Sequence, residues 1–485
     1  MTFEQWGKKY GLILSIAVFF LIWLLPTPTG MTLVQHKLLS IFGAAIVIWI
    51  TIGVNFAVST FAIVALLYFW IGNPTGALAK DGSLIRNAAF AVSGFASPSL
   101  WLLVTGFVLS IAMTKTGVAK RIALTIMKSM GKTPAGAIAA SMLANFIVAP
   151  FTPSNTARTA AMLPIIEGIA TAYNAKPGQS NFGKALALSA TFTSNITGSA
   201  FLTGTIPNPV ALGLIAGAAG ASVFTTWSFW AMAAIPTNII ILACTLWLCL
   251  RLFPSEVKSV PGGMEYINKQ LNEMGPMSLA EKKAVGYFLL ALGLWSTDSI
   301  HKFDSTMIAF VVGLLIFLPR IGVLEWKETE KSLPWELFVY FGGVLTLSGV
   351  LMNTKSFEWL VKAVMAGLGL QSLPMMPLLI ILLGFSIFSH VIWSTTTAMT
   401  GVMIPIYIGL AQAMNFPIIP FCVPLAIMMA YALFLPFNTM GNIIVFGAGY
   451  YSVSDQLKTS LILGLIIWGL WIVTAFTWWK WIGLL

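Results

Sequence analysis

The sequence predicts an all-α polytopic membrane protein with eleven transmembrane helices and two re-entrant hairpins, arranged as an inverted repeat. Three observations predict it. Hydrophobic residues make up 58% of the chain and charged residues 8%, against roughly a quarter charged in a soluble domain. Apolar stretches of spanning length recur along the chain. The rare polar segments come in pairs. Pro153-Ser154-Asn155-Thr156-Ala157, with Pro164 beyond it, is answered by Ser394-Thr395-Thr396-Thr397-Ala398, with Pro405 beyond it. Thr205-Ile206-Pro207-Asn208 is answered by Thr439-Met440-Gly441-Asn442. Thr395 lies 241 residues after Ser154, and Asn442 lies 234 after Asn208. Paired, Gly/Pro-interrupted apolar segments at matching places in two halves mark the binding region of a secondary transporter.

Spans one to four are read at 11–25, 33–52, 54–71 and 99–114. The first resembles a signal peptide, with Lys8-Lys9 ahead of an apolar run and Pro26-Thr27-Pro28 after it. No A-x-A site follows, so a retained span is expected. The pair 134–150 and 159–172 folds around Ser154-Asn155-Thr156; each arm is too short and interrupted for a span, which suits a re-entrant hairpin. Irregular backbone at its tip is tolerable only where protein or a water-filled cavity surrounds it. Residues 185–217 form a span broken near Gly204 to Pro207, and 222–252 a continuous one. The polar loop 253–283 separates the halves and has Glu/Lys spacing suited to a short surface helix. Spans follow at 284–297, 306–319 and 335–352. Residues 374–392 and 398–414 form the second hairpin, 417–450 a span broken near Thr439 to Asn442, and 459–479 the last.

The net charge of +11 sits in short loops, which argues against a nucleic-acid partner. With the N-terminus inside, Lys8, Lys9, Lys115, Lys120, Arg121, Lys128, Lys132, Lys176, Lys184, Arg251, Lys258, Lys269, Lys282, Lys283, Arg320, Lys327, Lys331 and Lys458 gather on one face. Lys37, Lys80, Arg86, Lys302, Lys355, Lys362 and Lys480 gather on the other. This asymmetry predicts a multi-pass inner-membrane protein, N-terminus cytoplasmic and C-terminus outside. Cys244, Cys249 and Cys422 lie in apolar segments and read as small buried hydrophobes.

Between Lys362 and Asp455 the chain has no Asp, Glu, Lys or Arg. The second hairpin and second broken span therefore offer only Ser, Thr, Asn and His390. Such equipment excludes a carboxylate-based cation pump. It suits an anion, because Ser, Thr and Asn cap helix starts and converging starts attract negative charge. Helix starts are expected after Thr156, Thr397, Pro207 and Gly441.

At this point the chain resembles a known family over nearly its whole length: the divalent anion/sodium symporters, which carry di- and tricarboxylates. The family's mark is a Ser-Asn-Thr triplet at each hairpin tip, and Ser154-Asn155-Thr156 matches it. Gly204-Thr205-Ile206-Pro207-Asn208 is similar to its break in the fifth span, Asn442-Ile443-Ile444-Val445-Phe446-Gly447 to the tenth, and Gly275-Pro276-Met277-Ser278 to its mid-chain loop. The resemblance implies a homodimer and an elevator mechanism. Residues 1–133 and 284–373 would form the scaffold, 134–252 and 374–485 the hairpins and broken spans that move, and 253–283 a cytoplasmic link. It implies that substrate contacts come from Ser154, Asn155, Thr156, Thr395, Thr396, Thr397, Thr439 and Pro207.

The second tip departs from the pattern. In the register fixed by Pro405 it reads Thr395-Thr396-Thr397; a one-residue slip would make it Ser394-Thr395-Thr396. Either way the central Asn, a good ligand for sodium, is gone. Met440 stands where the family usually has Pro. Two further side chains flank the tips: Arg158, two residues after the first triplet, and His390, five before the second triplet at Thr395. An arginine at membrane depth is costly and a functional candidate; the alternatives are snorkelling to the cytoplasmic mouth or pairing with Glu167. For His390 the alternative is a neutral core histidine. The functional reading has both supply the positive charge that sodium gives the symporters. Family members lacking proper sodium sites are dicarboxylate exchangers, such as the 2-oxoglutarate/malate and citrate/succinate antiporters. The expected activity is therefore sodium-independent exchange of dicarboxylates present on both sides of the bilayer, with no cofactor and no metal. A sodium-coupled symporter is the second reading. An intramembrane enzyme is the third and remote one: the chain has no H-E-x-x-H and no G-x-S-x-G, and His36, His301 and His390 are far apart.

Overall fold

The computed structural model describes residues 3–220, 226–256, 261–368 and 372–485. Among them there is no β-strand, only a single bridge between Leu78 and Leu84. Eight helices are long and apolar enough to cross a membrane, and shorter apolar ones cover Phe56–Ile71, Pro207–Ala219, Ser305–Phe317 and Ile418–Met428. The helices start where the chain supplies caps. Thr133, Ser154, Ser180, Thr226, Thr395 and Thr439 each accept a first-turn N–H, and Thr32, Ser278 and Ser452 form capping boxes with Gln35, Glu281 and Asp455.

Several expectations need correction. The first helix begins at Phe3, well before residue 11. The leading arm of the first hairpin is not short: a tightened turn at Ala149–Phe151 extends it to Pro134–Phe151, of spanning length, while the second, expected over 374–392, covers Met375–Ile392 with a tightened turn at Ser389–Ile392. The returning arm nevertheless doubles back, since the Tyr173 hydroxyl donates to Gly131 O (3.0 Å) at the hairpin's base. The expected span at 222–252 is a helix over Trp227–Leu252, and the link carries the expected surface helix, Pro261–Met274. Residues 222–225 of that span and 257–260 of the link, with Lys258, lie outside the described residues.

Two amphipathic helices, Val118–Met130 and Ser356–Leu368, went unread; each stands just ahead of a hairpin. Their starts are 238 residues apart, so the duplication includes them.

The repeat is visible in hydrogen bonds. Asn208 Nδ2 donates to Gly198 O (2.8 Å) and Phe201 O (2.7 Å). Its counterpart Asn442 donates to Ala432 O (2.7 Å) and Leu435 O (3.4 Å), the same positions relative to itself. The second break is the wider, running from Met429 to Thr439, and the helix resumes at Met440 rather than after Gly441. Carbonyls freed there at membrane depth need partners. Asn442 supplies two, and Gln456 Nε2 donates to Leu433 O (2.8 Å).

The two hairpins differ in exposure. Along the returning arm of the first, Ala160, Pro164, Glu167 and Thr171 are exposed. The returning arm of the second is buried from Thr396 through Pro405. It packs against the helices Trp335–Asn353 and Ser356–Leu368. A Cβ at Gly401 would lie 3.0 Å from the Tyr340 hydroxyl, and one at Gly409 only 2.6 Å from Phe357 Cβ. The returning arm of the first hairpin is therefore the more exposed of the two.

Candidate substrate site

The two tips share one design. Ser154 Oγ accepts from Ala157 N (3.1 Å) and Thr395 Oγ1 from Ala398 N (3.0 Å). This fixes the second triplet as Thr395-Thr396-Thr397, in register with Pro405. Thr439 Oγ1 accepts from Asn442 N (3.2 Å) at the second break. Each cap bond uses a lone pair and leaves the hydroxyl its hydrogen for a ligand. Helices begin at Asn155, Thr396, Pro207 and Met440, so four starts carry unsatisfied N–H groups and partial positive charge.

The first tip and the second break are adjacent. A Cβ on Gly441 would sit 3.0 Å from Thr159 Oγ1 and 3.2 Å from Asn155 O, so this close approach requires a residue without one. The second tip is tied to the same break: Asn438 Nδ2 donates to His390 O (2.7 Å) and Trp393 O (2.9 Å). Ser154, Thr156, Thr395 and Thr439 are half-buried; Asn155, Thr396, Thr397 and Pro207 are buried.

Arg158 neither snorkels nor pairs with Glu167. Its side chain is 1% exposed. Nη1 donates to the carbonyls of Thr152 and Gly204, and Nη2 to Asn155 Oδ1 (2.6 Å) and Ser194 O (2.8 Å). All four partners are neutral oxygens, drawn from the first tip and the first broken span. His390, also 1% exposed, meets only backbone carbonyls: Nδ1 faces Ser386 O (2.9 Å) and Ile387 O (3.1 Å), and Nε2 faces Met429 O (3.3 Å).

Asn155 is less free than the sequence suggests. Its Oδ1 is held by Arg158, and its Nδ2 donates to Asn195 Oδ1 (3.2 Å). Asn195, Ser194, Thr159 and Gly198 were missed. A Cβ at Gly198 would lie 2.8 Å from Asn155 Oδ1, so that glycine makes room for the tip. The signal was the polar cluster Thr193-Ser194-Asn195 with Thr197-Gly198-Ser199 inside an otherwise apolar helix.

Away from the site, Glu256 closes the base of the first broken span. It accepts from Asn181 N, from Phe182 N (3.2 Å) and from Ser180 Oγ (3.3 Å). Burial raises its pKa, but the bonds from these donors outweigh that and hold it below the ordinary carboxylate value. Among the described residues no cluster of His, Cys, Asp or Glu could hold a metal ion.

Known proteins resemble this architecture. A relative from Escherichia coli (strain K12), the L-tartrate/succinate antiporter, is 29% identical over 475 residues, 96% of each chain. A membrane protein from Cupriavidus necator is 27% identical over 482 residues, 98% of this chain and 93% of that one. Among solved structures, the Alcanivorax borkumensis YdaH transporter superposes with a TM-score of 0.54 at 12% identity, covering 89% of this chain and 99% of that one. Neisseria gonorrhoeae MtrF gives 0.54 at 16%, covering 88% and 95%. These two share the fold. The profile of the sodium:sulfate symporter transmembrane region matches residues 7–485, and the chain belongs to that family of divalent anion transporters.

Proposed function

We propose that this protein exchanges C4 and C5 dicarboxylates, of the succinate, malate, fumarate and 2-oxoglutarate class, across the inner membrane without sodium. The observation that carries this reading is the seat of Arg158. Four converging oxygens at a hairpin tip are what a hard monovalent cation prefers. Here a guanidinium fills that seat, covalently attached and always charged. His390, ringed by carbonyl oxygens at the second hairpin, plays that part there in its protonated form. The activity for which the E. coli relative is named, exchange of tartrate and succinate, agrees with this chemistry.

In this reading, hydroxyls of Ser154, Thr156, Thr395, Thr396, Thr397 and Thr439 and the first-turn N–H groups, including those after Pro207, receive the two carboxylates. The hairpins and broken spans carry the substrate as an elevator against the scaffold, in a homodimer. The N-terminus is cytoplasmic, and the mouth of the first hairpin faces inward. A sodium-coupled symporter is the second reading; the intact Ser154-Asn155-Thr156 favours it. The test is counterflow. Vesicles loaded with tartrate should accumulate labelled succinate, and empty vesicles should not. Equal uptake by empty vesicles would overturn exchange.

A further inference from the structure

We propose that Asn195 is a positioning residue, a relay that ties the seat of Arg158 at the first tip to the second break; the proposal rests on the functional reading above. The side chains form a head-to-tail chain. Arg158 Nη2 donates to Asn155 Oδ1 (2.6 Å), Asn155 Nδ2 to Asn195 Oδ1 (3.2 Å), and Asn195 Nδ2 to Asn442 Oδ1 (2.9 Å). Asn442 Nδ2 then donates to Ala432 O and Leu435 O in the second break.

Both ends agree on every orientation, since Thr191 O also accepts from Asn195 Nδ2 (2.9 Å) and Ala432 O and Leu435 O hold Asn442. A guanidinium only donates, so Asn155 must turn its oxygen to Arg158 and its amide nitrogen to Asn195. The same constraint passes to Asn442, three residues beyond Thr439. Asn195 and Asn442 are 0% and 1% exposed, so no bulk water competes for these bonds. Arg158 is thereby linked to Asn442, and the two repeats are joined by one polar line.

The repeat itself shows that this line is a specialised feature. The counterpart of Asn195, 234 residues on, is Met429. A thioether offers no amide donor, and the counterpart of Asn442, Asn208, has its buried Oδ1 without a hydrogen-bond partner. The relay was built in one half only, the half that holds the arginine.

The test compares Asn195→Asp and Asn195→Leu with wild type in tartrate-loaded vesicles, reading succinate KM at pH 8 and pH 6. A packing role predicts that the isosteric Asp is harmless. The relay predicts the opposite: an ionised Asp sets an oxygen against Asn442 Oδ1 and loses the donor. The expected result is a KM at least tenfold higher at pH 8, with the gap to wild type narrowing at pH 6 as protonation restores an O–H donor. Asn195→Leu should show a raised KM with no such narrowing. A KM within twofold of wild type at pH 8 in either variant, or a gap that ignores pH in the Asp protein, would overturn the relay. If Asp does not fold, the Leu result alone decides by the same KM criterion. Wild-type vesicles separate the two claims. Failure of wild type to exchange dicarboxylates overturns the functional reading, and the relay is then read from the same variant ratios with sulfate as the probe.

Discussion

Replacing Arg158 with Gln removes the charge while keeping an amide that can reach part of the seat. The guanidinium serves four acceptors: Thr152 O, Gly204 O, Ser194 O and Asn155 Oδ1. A Gln amide can donate to two at most. Two buried acceptors then go without a partner, at about 1–3 kcal/mol each. Destabilisation by about 2–6 kcal/mol is therefore expected, a large share of a typical ~5–15 kcal/mol, and sodium ions should partly restore the melting temperature. The effect on coupling has the opposite sign. An unpaired cation costs several kcal/mol to carry through an apolar layer. Each ~1.4 kcal/mol is tenfold in rate, so even a cost of about 3 kcal/mol holds the empty carrier back roughly a hundredfold. A bound dianion meets the guanidinium and a protonated His390, which leaves the site neutral and lifts the restraint; neutralising Arg158 should lift it permanently. The assay is succinate efflux from loaded vesicles with no external dicarboxylate. The Arg158→Gln protein should either lose binding or leak many times faster than wild type. Normal exchange with no added leak would refute the reasoning.

Other outcomes follow from the same geometry. Thr439→Ala removes a helix cap worth about 1 kcal/mol and a hydroxyl bond to a carboxylate worth about 1.5–3 kcal/mol, so succinate exchange should fall below detection in a protein that still elutes as a folded species. Wild-type affinity would take Thr439 out of the site. Gly409→Val puts a Cβ where Phe357 Cβ is 2.6 Å away, so it should wedge the second hairpin from its neighbour; a cysteine at Thr397 should then react with a thiol reagent at least several-fold faster. Glu256→Gln should lower the melting temperature slightly at pH 7, by the ~0.3–1 kcal/mol of a charge at an exposed helix start. Because Glu256 is held below the ordinary value, its contribution is complete above that value and is lost as pH falls, so wild type and variant should converge below about pH 4.3.

The repeated elements were legible because chemistry at membrane depth has few solutions. Ser, Thr or Asn ahead of a helix in an apolar chain must cap something, so Ser154, Thr395 and Thr439 could be found from sequence. The register of the second tip could not be fixed, because Ser394 and Thr395 both make good caps; only the bond to Ala398 N decides. The leading arm of the first hairpin read as too short because Pro150 interrupts the apolar run, yet a tightened turn accommodates it. The helices at 118–130 and 356–368 were missed because they do not span, and a search for long apolar runs passes over amphipathic ones. Asn195 lay in a polar cluster that marked it, but its role was hidden: its partners are 40 and 247 residues away, and only the packed structure brings them together.

Sodium dependence tests the central claim most directly. Purified protein in vesicles loaded with unlabelled succinate should take up labelled succinate at the same rate in sodium and in choline, and empty vesicles should take up none even under an inward sodium gradient. Accumulation of succinate by empty vesicles, only when a sodium gradient is imposed, would contradict the account and show that Arg158 does not stand in for the cation.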